Sequence, residues 1–119
     1  MTNYILAITS ILLAVAGQLL MKRGMATFGA FPVNQLISRL IPIFLNPYVF
    51  MGFVLFGLSS IFWLVVLSRL PLSLVYPMVS VGYVLVAIVS WYFFKESVSL
   101  VRWLGIIVIM AGVFLISRS

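Results

Sequence analysis

Long uncharged apolar runs, separated by single basic residues, dominate this chain. Tyr4 to Met21 is a run of 18 residues, Leu40 to Ser68 one of 29, Leu70 to Phe94 one of 25 and Trp103 to Ser117 one of 15. A helix needs about 20 predominantly apolar residues to cross a hydrocarbon core of roughly 30 Å, so each run is a candidate span. The longest run is interrupted by Pro42 and by Asn46-Pro47. Asn as an N-cap followed by proline at the first helical position is a helix-start signal, which places the second span at 47–68. The shortest run grows to about 20 residues if Ser97 caps the helix and Arg102 snorkels from its first turn. The pattern thus predicts helices at about 3–21, 47–68, 71–94 and 98–117.

The segment before the second span has a different period. Val33, Leu36, Ile37, Leu40 and Phe44 fall on one helical face, with Asn34, Gln35, Ser38 and Arg39 on the other. That arrangement predicts a short amphipathic helix over 33–44 lying at the membrane surface; the competing reading is an ordered loop without lipid contact. The fold expected is therefore all-α: one domain of four transmembrane helices, residues 1–119, with a surface helix in its first loop.

Composition narrows the chemistry. The charged residues are seven Lys or Arg and one acid, Glu96, in 119 residues that are 66% hydrophobic. A soluble domain carries about 25% charged residues, so this chain lacks the charge to cover a water-facing surface. It has no His, no Cys and no Asp. Thiol chemistry, disulfides, Cys or His metal sites, Ser-His-Asp triads and carboxylate pairs are all excluded. No catalytic residue, metal or cofactor is expected, and the chain does not read as an enzyme. The net charge of +6 is spread singly between apolar runs, the pattern of interfacial anchors and anionic-lipid contacts rather than of a nucleic-acid surface.

The basic residues also set an expected topology. Lys22, Arg23, Arg39, Lys95 and Arg102 lie in the first and third connections, against Arg69 and Arg118 on the opposite side. The positive-inside rule places the first and third connections in the cytoplasm and the termini outside, by a margin that leaves dual topology open. Ala14-Val15-Ala16 resembles a signal-peptidase site, but Lys22-Arg23 follow the apolar run instead of preceding it. Helix 1 is therefore expected to stay in the mature protein.

Helices in lipid associate through small residues that permit close approach. Ala7, Ser10, Ala14 and Gly17 form such a stripe on the first span, with Gln18 at its edge and Lys22 one turn further. Gly105 and Gly112, seven apart with Ala111 beside the second, share a face of the last span. Four short helices are expected to enclose almost no cavity, which favours that face as a dimer contact over internal packing. In the third span Pro77 frees the carbonyl of Ser73; Gly82, Ser80, Tyr76 and Tyr83 are close by. Pro77 and Gly82 are candidate hinges, either lining a cavity or merely bending the helix. Trp91, Tyr92, Phe93 and Phe94 form an aromatic girdle before Lys95, whereas Phe62 and Trp63 are expected to face lipid or pack. Glu96 falls outside every span, so it is expected to be paired or solvated, or to cap the last helix, and no span holds a carboxylate for proton coupling.

These residues resemble the small multidrug resistance group of the drug/metabolite transporter superfamily. Gly17 with Leu20-Met21-Lys22, Ala111-Gly112-Val113, and the Gly105–Gly112 pair resemble its pattern. A branch associated with flipping aminoarabinose-phospho-undecaprenol is closer still, at Ala16-Gly17-Gln18, Trp63 to Leu67, Tyr76-Pro77-Met78 with Ser80, and Glu96 with Val98-Ser99. The likeness is best over 60–117 and weakest over 25–46.

The resemblance implies a dimeric transporter in a bacterial or archaeal cytoplasmic membrane, either a homodimer or a heterodimer with a similar small subunit. Where multidrug exporters carry a membrane glutamate this chain has Ala14, and where they carry a tryptophan it has Val79. A polyprenyl-phosphate-linked sugar is therefore a better expected substrate than a cation exchanged for protons, which is the runner-up. A non-transporting partner subunit is the third reading. Lys22, Arg69, Lys95 and Arg102 are the candidates for the phosphate, and Gln18, Tyr76, Ser80 and Tyr83 for the polar path. Glu96 is the remaining candidate contact. Each basic residue has snorkelling as its competing role.

Overall fold

A computed structural model describes residues 2–119. Its helices are α1 (Thr2–Met25), a 3-10 turn (Val33–Gln35) leading into α2 (Leu36–Leu45), α3 (Pro47–Arg69), α4 (Leu72–Tyr92) and α5 (Leu100–Ser117). All but α2 are long and apolar enough to cross a membrane.

Local chemistry sets the helix ends. α1 runs through Lys22 and Arg23 to Met25, because basic side chains in a last turn complement the helix dipole instead of ending the helix. Beyond it, Gly29 turns the chain at φ +68°. Asn46 caps α3 by accepting from the Tyr48 and Val49 N–H groups at 3.0 and 3.3 Å, and Pro47 occupies the first helical position. The Asn46 amide also donates to the Gly24 carbonyl at 3.5 Å and to the Thr27 hydroxyl at 3.3 Å, which ties the start of α3 to the end of α1. The cap expected at Ser97 is at Ser99 instead, whose hydroxyl accepts from the Arg102 N–H at 3.2 Å. α4 stops at Tyr92, so Phe93 and Phe94 belong to the connection and α5 begins at Leu100.

α2 is the surface element. Ile43 is buried and Phe44 stacks on Phe53 of α3 at 5.1 Å, while Val33, Ile37, Ile41 and Leu45 are left uncovered.

α1 and α3 form the spine. They run antiparallel along their whole length: Gly24 meets Asn46 and Val49, Gly17 meets Gly52 and Phe56, and the Ser10 hydroxyl donates to the Ser59 carbonyl at 2.7 Å. At the far end Arg69 reaches the Asn3 side chain at 3.4 Å. The seam has a seven-residue period, Ser10-Gly17-Gly24 on α1 against Gly52-Ser59-Val66 on α3, with all six residues buried. Seven residues are close to two helical turns, so such a repeat keeps one stripe facing its partner over many turns. Small side chains then let the backbones approach, which is where packing in lipid gains its dispersion energy. Ala7, Val66 and Val75 close this spine at one end, joined by Leu6, Trp63, Leu70 and Met78.

α4 packs against α1 of the spine and α5 packs on α4. Gly82 fits against Ile11 and Val15 of α1, and Trp91 meets Trp103 edge-on at 5.9 Å. α4 stays helical through Pro77. α5 is the outermost helix, with Ile106 its one buried residue. This topology sorts the charges by end. Lys22, Arg23, Arg39, Lys95, Glu96 and Arg102 gather at the end that holds α2, and Arg69 and Arg118 at the other.

Candidate functional site

Three helices leave a cleft of about 320 Å³ between them, so the expectation that four short helices enclose almost no space does not hold. α4 packs on α1 and touches α3 only sparsely, which leaves the space between the three helices. Gly82, without a side chain, lets α4 approach Ile11 and Val15 of α1 closely. α1 contributes Ser10, Ala14 and Gln18 to the cleft at four-residue steps. Phe56, Ser60 and Trp63 line it from α3, and Val79, Tyr83 and Val86 from α4. Each set follows the helical period, one stripe per helix.

Among the described residues the cleft is lined by no charged side chain. Its polar atoms are the hydroxyls of Ser10, Ser59, Ser60 and Tyr83, the Gln18 amide and the Trp63 indole. Two hydroxyls are already committed, Ser10 to Ser59 and Ser60 to the Phe56 carbonyl at 3.1 Å. Gln18 and Tyr83 are exposed and retain capacity for a ligand. Ala14 and Val79, the positions where resembling exporters carry glutamate and tryptophan, both line the cleft.

The charged candidates lie outside it, at two separate places. Lys22 follows Gln18 by one turn on the same face of α1, and its ammonium pairs with the Glu96 carboxylate at 3.5 Å. Glu96 is brought there by the turn after α4. Lys95 adopts φ 56°, a left-handed conformation uncommon outside Gly and Asn. The Glu96 N–H then donates to the Ser90 carbonyl at 3.0 Å. Lys95 is exposed beside Glu96, whose carboxylate pairs with Lys22 instead, and Arg102 lies in the exposed first turn of α5. Arg69 sits at the opposite end with Asn3, some 28 Å from Lys22 along α1 at about 1.5 Å per residue.

Two hydroxyl candidates also fall outside the cleft. Tyr76 is one turn beyond Val79 and 66% exposed; Ser80 lies on an adjacent stripe of α4 and does not line the walls. Sequence reasoning missed Ser60 and the cleft-facing role of Trp63. Their spacing with Phe56 is helical, but the only mid-span polar residues of α3 are the adjacent Ser59 and Ser60, whose hydroxyls can bond their own helix and so do not mark which stripe faces α4. Among the described residues no heavy atom outside their own stretch of helix lies within 4 Å of the Cβ position of Gly105 or Gly112, so neither glycine serves a close helix contact inside the protomer.

Comparison with known proteins extends this picture. The profile of the EamA-like transporter family matches residues 6–118. Several curated relatives carry the name probable 4-amino-4-deoxy-L-arabinose-phosphoundecaprenol flippase subunit. One, the ArnF subunit of Proteus mirabilis, is 38% identical, with 99% of this chain and 93% of the relative covered. The ArnE subunit of Yersinia pestis is 34% identical over 98% of this chain and 97% of its own length. That of Aeromonas hydrophila is 33% identical over 88% of each. No solved structure matches the chain.

Proposed function

The chain belongs to the EamA-like transporter family, and on that premise we propose that it is one subunit of a flippase for a polyprenyl-phosphate-linked amino sugar. The observation that carries this reading is the chemistry of the cleft. It offers hydroxyl, amide and aromatic groups to a sugar, holds no acid to repel a phosphate, and has Lys22 one turn beyond Gln18. The polyprenyl tail stays in lipid, so only a head group needs shelter, and a cleft of about 320 Å³ is within the common range for small-molecule sites. The end that gathers five basic residues faces the cytoplasm in this reading.

The test is reconstitution of the full chain in liposomes, alone and with a second small subunit, followed by measurement of head-group exposure on each leaflet. A polyprenyl-phosphate lipid is expected to equilibrate without a pH gradient. If the lipid is ignored while a hydrophobic cation exchanges for protons, the reading fails in favour of a cation exporter. Movement that needs the second subunit, with no lipid binding to this one, assigns this chain a supporting role. Lys22→Ala and Gln18→Ala are expected to weaken lipid binding by several-fold to about tenfold, the scale of a charge-assisted hydrogen bond at a partly exposed site. Arg118→Ala serves as the comparison, since a residue that only snorkels gives no such loss. Equal losses in all three variants would mean that the basic residues act as anchors alone.

The exposed face of α5 supports a subunit contact through Gly105 and Gly112. A Leu at Gly112 meets open space within the protomer, so Gly112→Leu is expected to leave insertion intact and lower the cross-linked dimer yield by about fivefold or more, the scale of 1–2 kcal/mol for close helix contacts. An unchanged yield would place the subunit contact elsewhere.

A further inference from the structure

We infer that Lys22 and Glu96 form a two-charge recognition site in which Glu96 reads the ammonium group of the sugar while Lys22 holds the phosphate; this rests on the flippase reading above. Glu96 is the only acidic side chain of the chain, so a cationic group on a ligand has this one carboxylate to pair with. It is not spread at random along the surface. The left-handed turn at Lys95 and the hydrogen bond from the Glu96 N–H to the Ser90 carbonyl hold it against the last turn of α4, facing Lys22 at 3.5 Å. A lysine is kept there in a backbone conformation that favours glycine, and its result is to aim the following carboxylate at α1.

The pair is built to exchange partners. Lys22 and Glu96 keep 59% and 42% of their side-chain surface exposed, and ion pairs of that exposure contribute little to stability. Opening it therefore costs little. An amino sugar joined to a phosphate carries a positive and a negative charge at opposite ends of one ring. When it enters between the two side chains, the phosphate takes Lys22, the ammonium takes Glu96, and no charge is left unpaired. Gln18, one turn below Lys22 and lining the cleft, is placed to meet the ring hydroxyls. A sugar whose amine is acylated cannot make this exchange. Its neutral amide leaves Glu96 without a partner next to a bound phosphate, a like-charge contact that weakens binding.

The experiment compares two lipids on the full chain in phosphatidylcholine nanodiscs: undecaprenyl phosphate bearing 4-amino-4-deoxyarabinose, and the same lipid N-acetylated. The wild-type protein is expected to bind the free-amine lipid about tenfold tighter, the scale of one charged hydrogen bond. Glu96→Gln is expected to erase that preference and bind the acetylated lipid at least as well as wild type, while Glu96→Asp keeps part of the preference. A wild-type protein that binds both lipids equally overturns the inference and leaves the flippase reading standing. So does a Glu96→Gln variant that weakens both lipids alike, since that is the behaviour of a structural latch. Failure of the wild-type protein to bind either lipid, or bare undecaprenyl phosphate, instead removes the flippase reading itself.

Discussion

Gly17→Leu is expected to part α1 from α3 and destabilise the helix bundle by about 3 kcal/mol, the upper end of the range for overpacking. A Cβ at Gly17 would lie 2.6 Å from the Gly52 carbonyl oxygen and 3.1 Å from the Phe56 nitrogen, and a Cβ at Gly52 would lie 2.6 Å from the Gly17 carbonyl oxygen. Both obstacles are backbone, so no rotamer change relieves them, and the helices themselves must move. Moving them opens the seam on both sides, loosening the Ser10–Ser59 hydrogen bond and the contact of Gly24 with Val49. Lipid supplies no hydrophobic force to bring the helices back. Cysteines at Ser10 and Ser59 report the seam directly, free of background because the chain has none of its own. Gly17→Leu should lower their cross-linking and the denaturant midpoint together. Gly57→Leu is the control: no heavy atom lies within 4 Å of its Cβ position, and a change below about 0.5 kcal/mol is expected for such a site. A seam that cross-links equally in both variants would mean that α1 and α3 are not the spine.

Half of that spine is legible in the sequence. Ala7, Ser10, Ala14 and Gly17 stand out because small residues at steps of three and four are rare among Leu, Ile and Val. Gly24 continues the same stripe but lies beyond Lys22-Arg23, and ending the helix at its first charges hides it. The matching residues Gly52, Ser59 and Val66 are hidden for another reason. Every stripe of α3 is apolar enough to face lipid, so its partner stripe is decided by α1 rather than by α3. The same holds for the cleft. Gln18 and Tyr83 can be picked as polar groups in apolar helices, but that they share one space with Ser60 and Trp63 follows only from the packing of α4 on α1 at Gly82. Ser97 and Ser99 are equivalent as caps by residue type, and the turn after α4 decides between them. That turn depends on Lys95 at positive φ, a position for which lysine gives no signal, and so the pairing of Glu96 with Lys22 also had to come from the structure.

Ala14→Glu is expected to turn the cleft against its anionic ligand. Ala14 lines the cleft from α1, with Gln18 one turn above it. The phosphate held at Lys22 lies eight residues further along α1, about 12 Å at 1.5 Å per residue; at an effective dielectric constant near 20 a carboxylate at that distance repels it by about 1.4 kcal/mol, roughly tenfold in affinity. Ala14 is not one of the buried residues of the α1–α3 seam, and it borders the open cleft. A carboxylate placed on a lipid-facing stripe would weaken insertion, by about 2.5–3.5 kcal/mol at the centre of a span; one facing a cavity is tolerated. The variant is therefore expected to insert normally, lose binding and movement of the polyprenyl-phosphate lipid, and gain binding of a hydrophobic cation such as tetraphenylphosphonium. That new binding should weaken as the pH falls, since protons compete with the cation for the carboxylate. Ala14→Gln, of the same size without the charge, is expected to keep most of the lipid movement. Liposomes in which Ala14→Glu moves the lipid as fast as the wild type would show that the head group does not pass through this cleft.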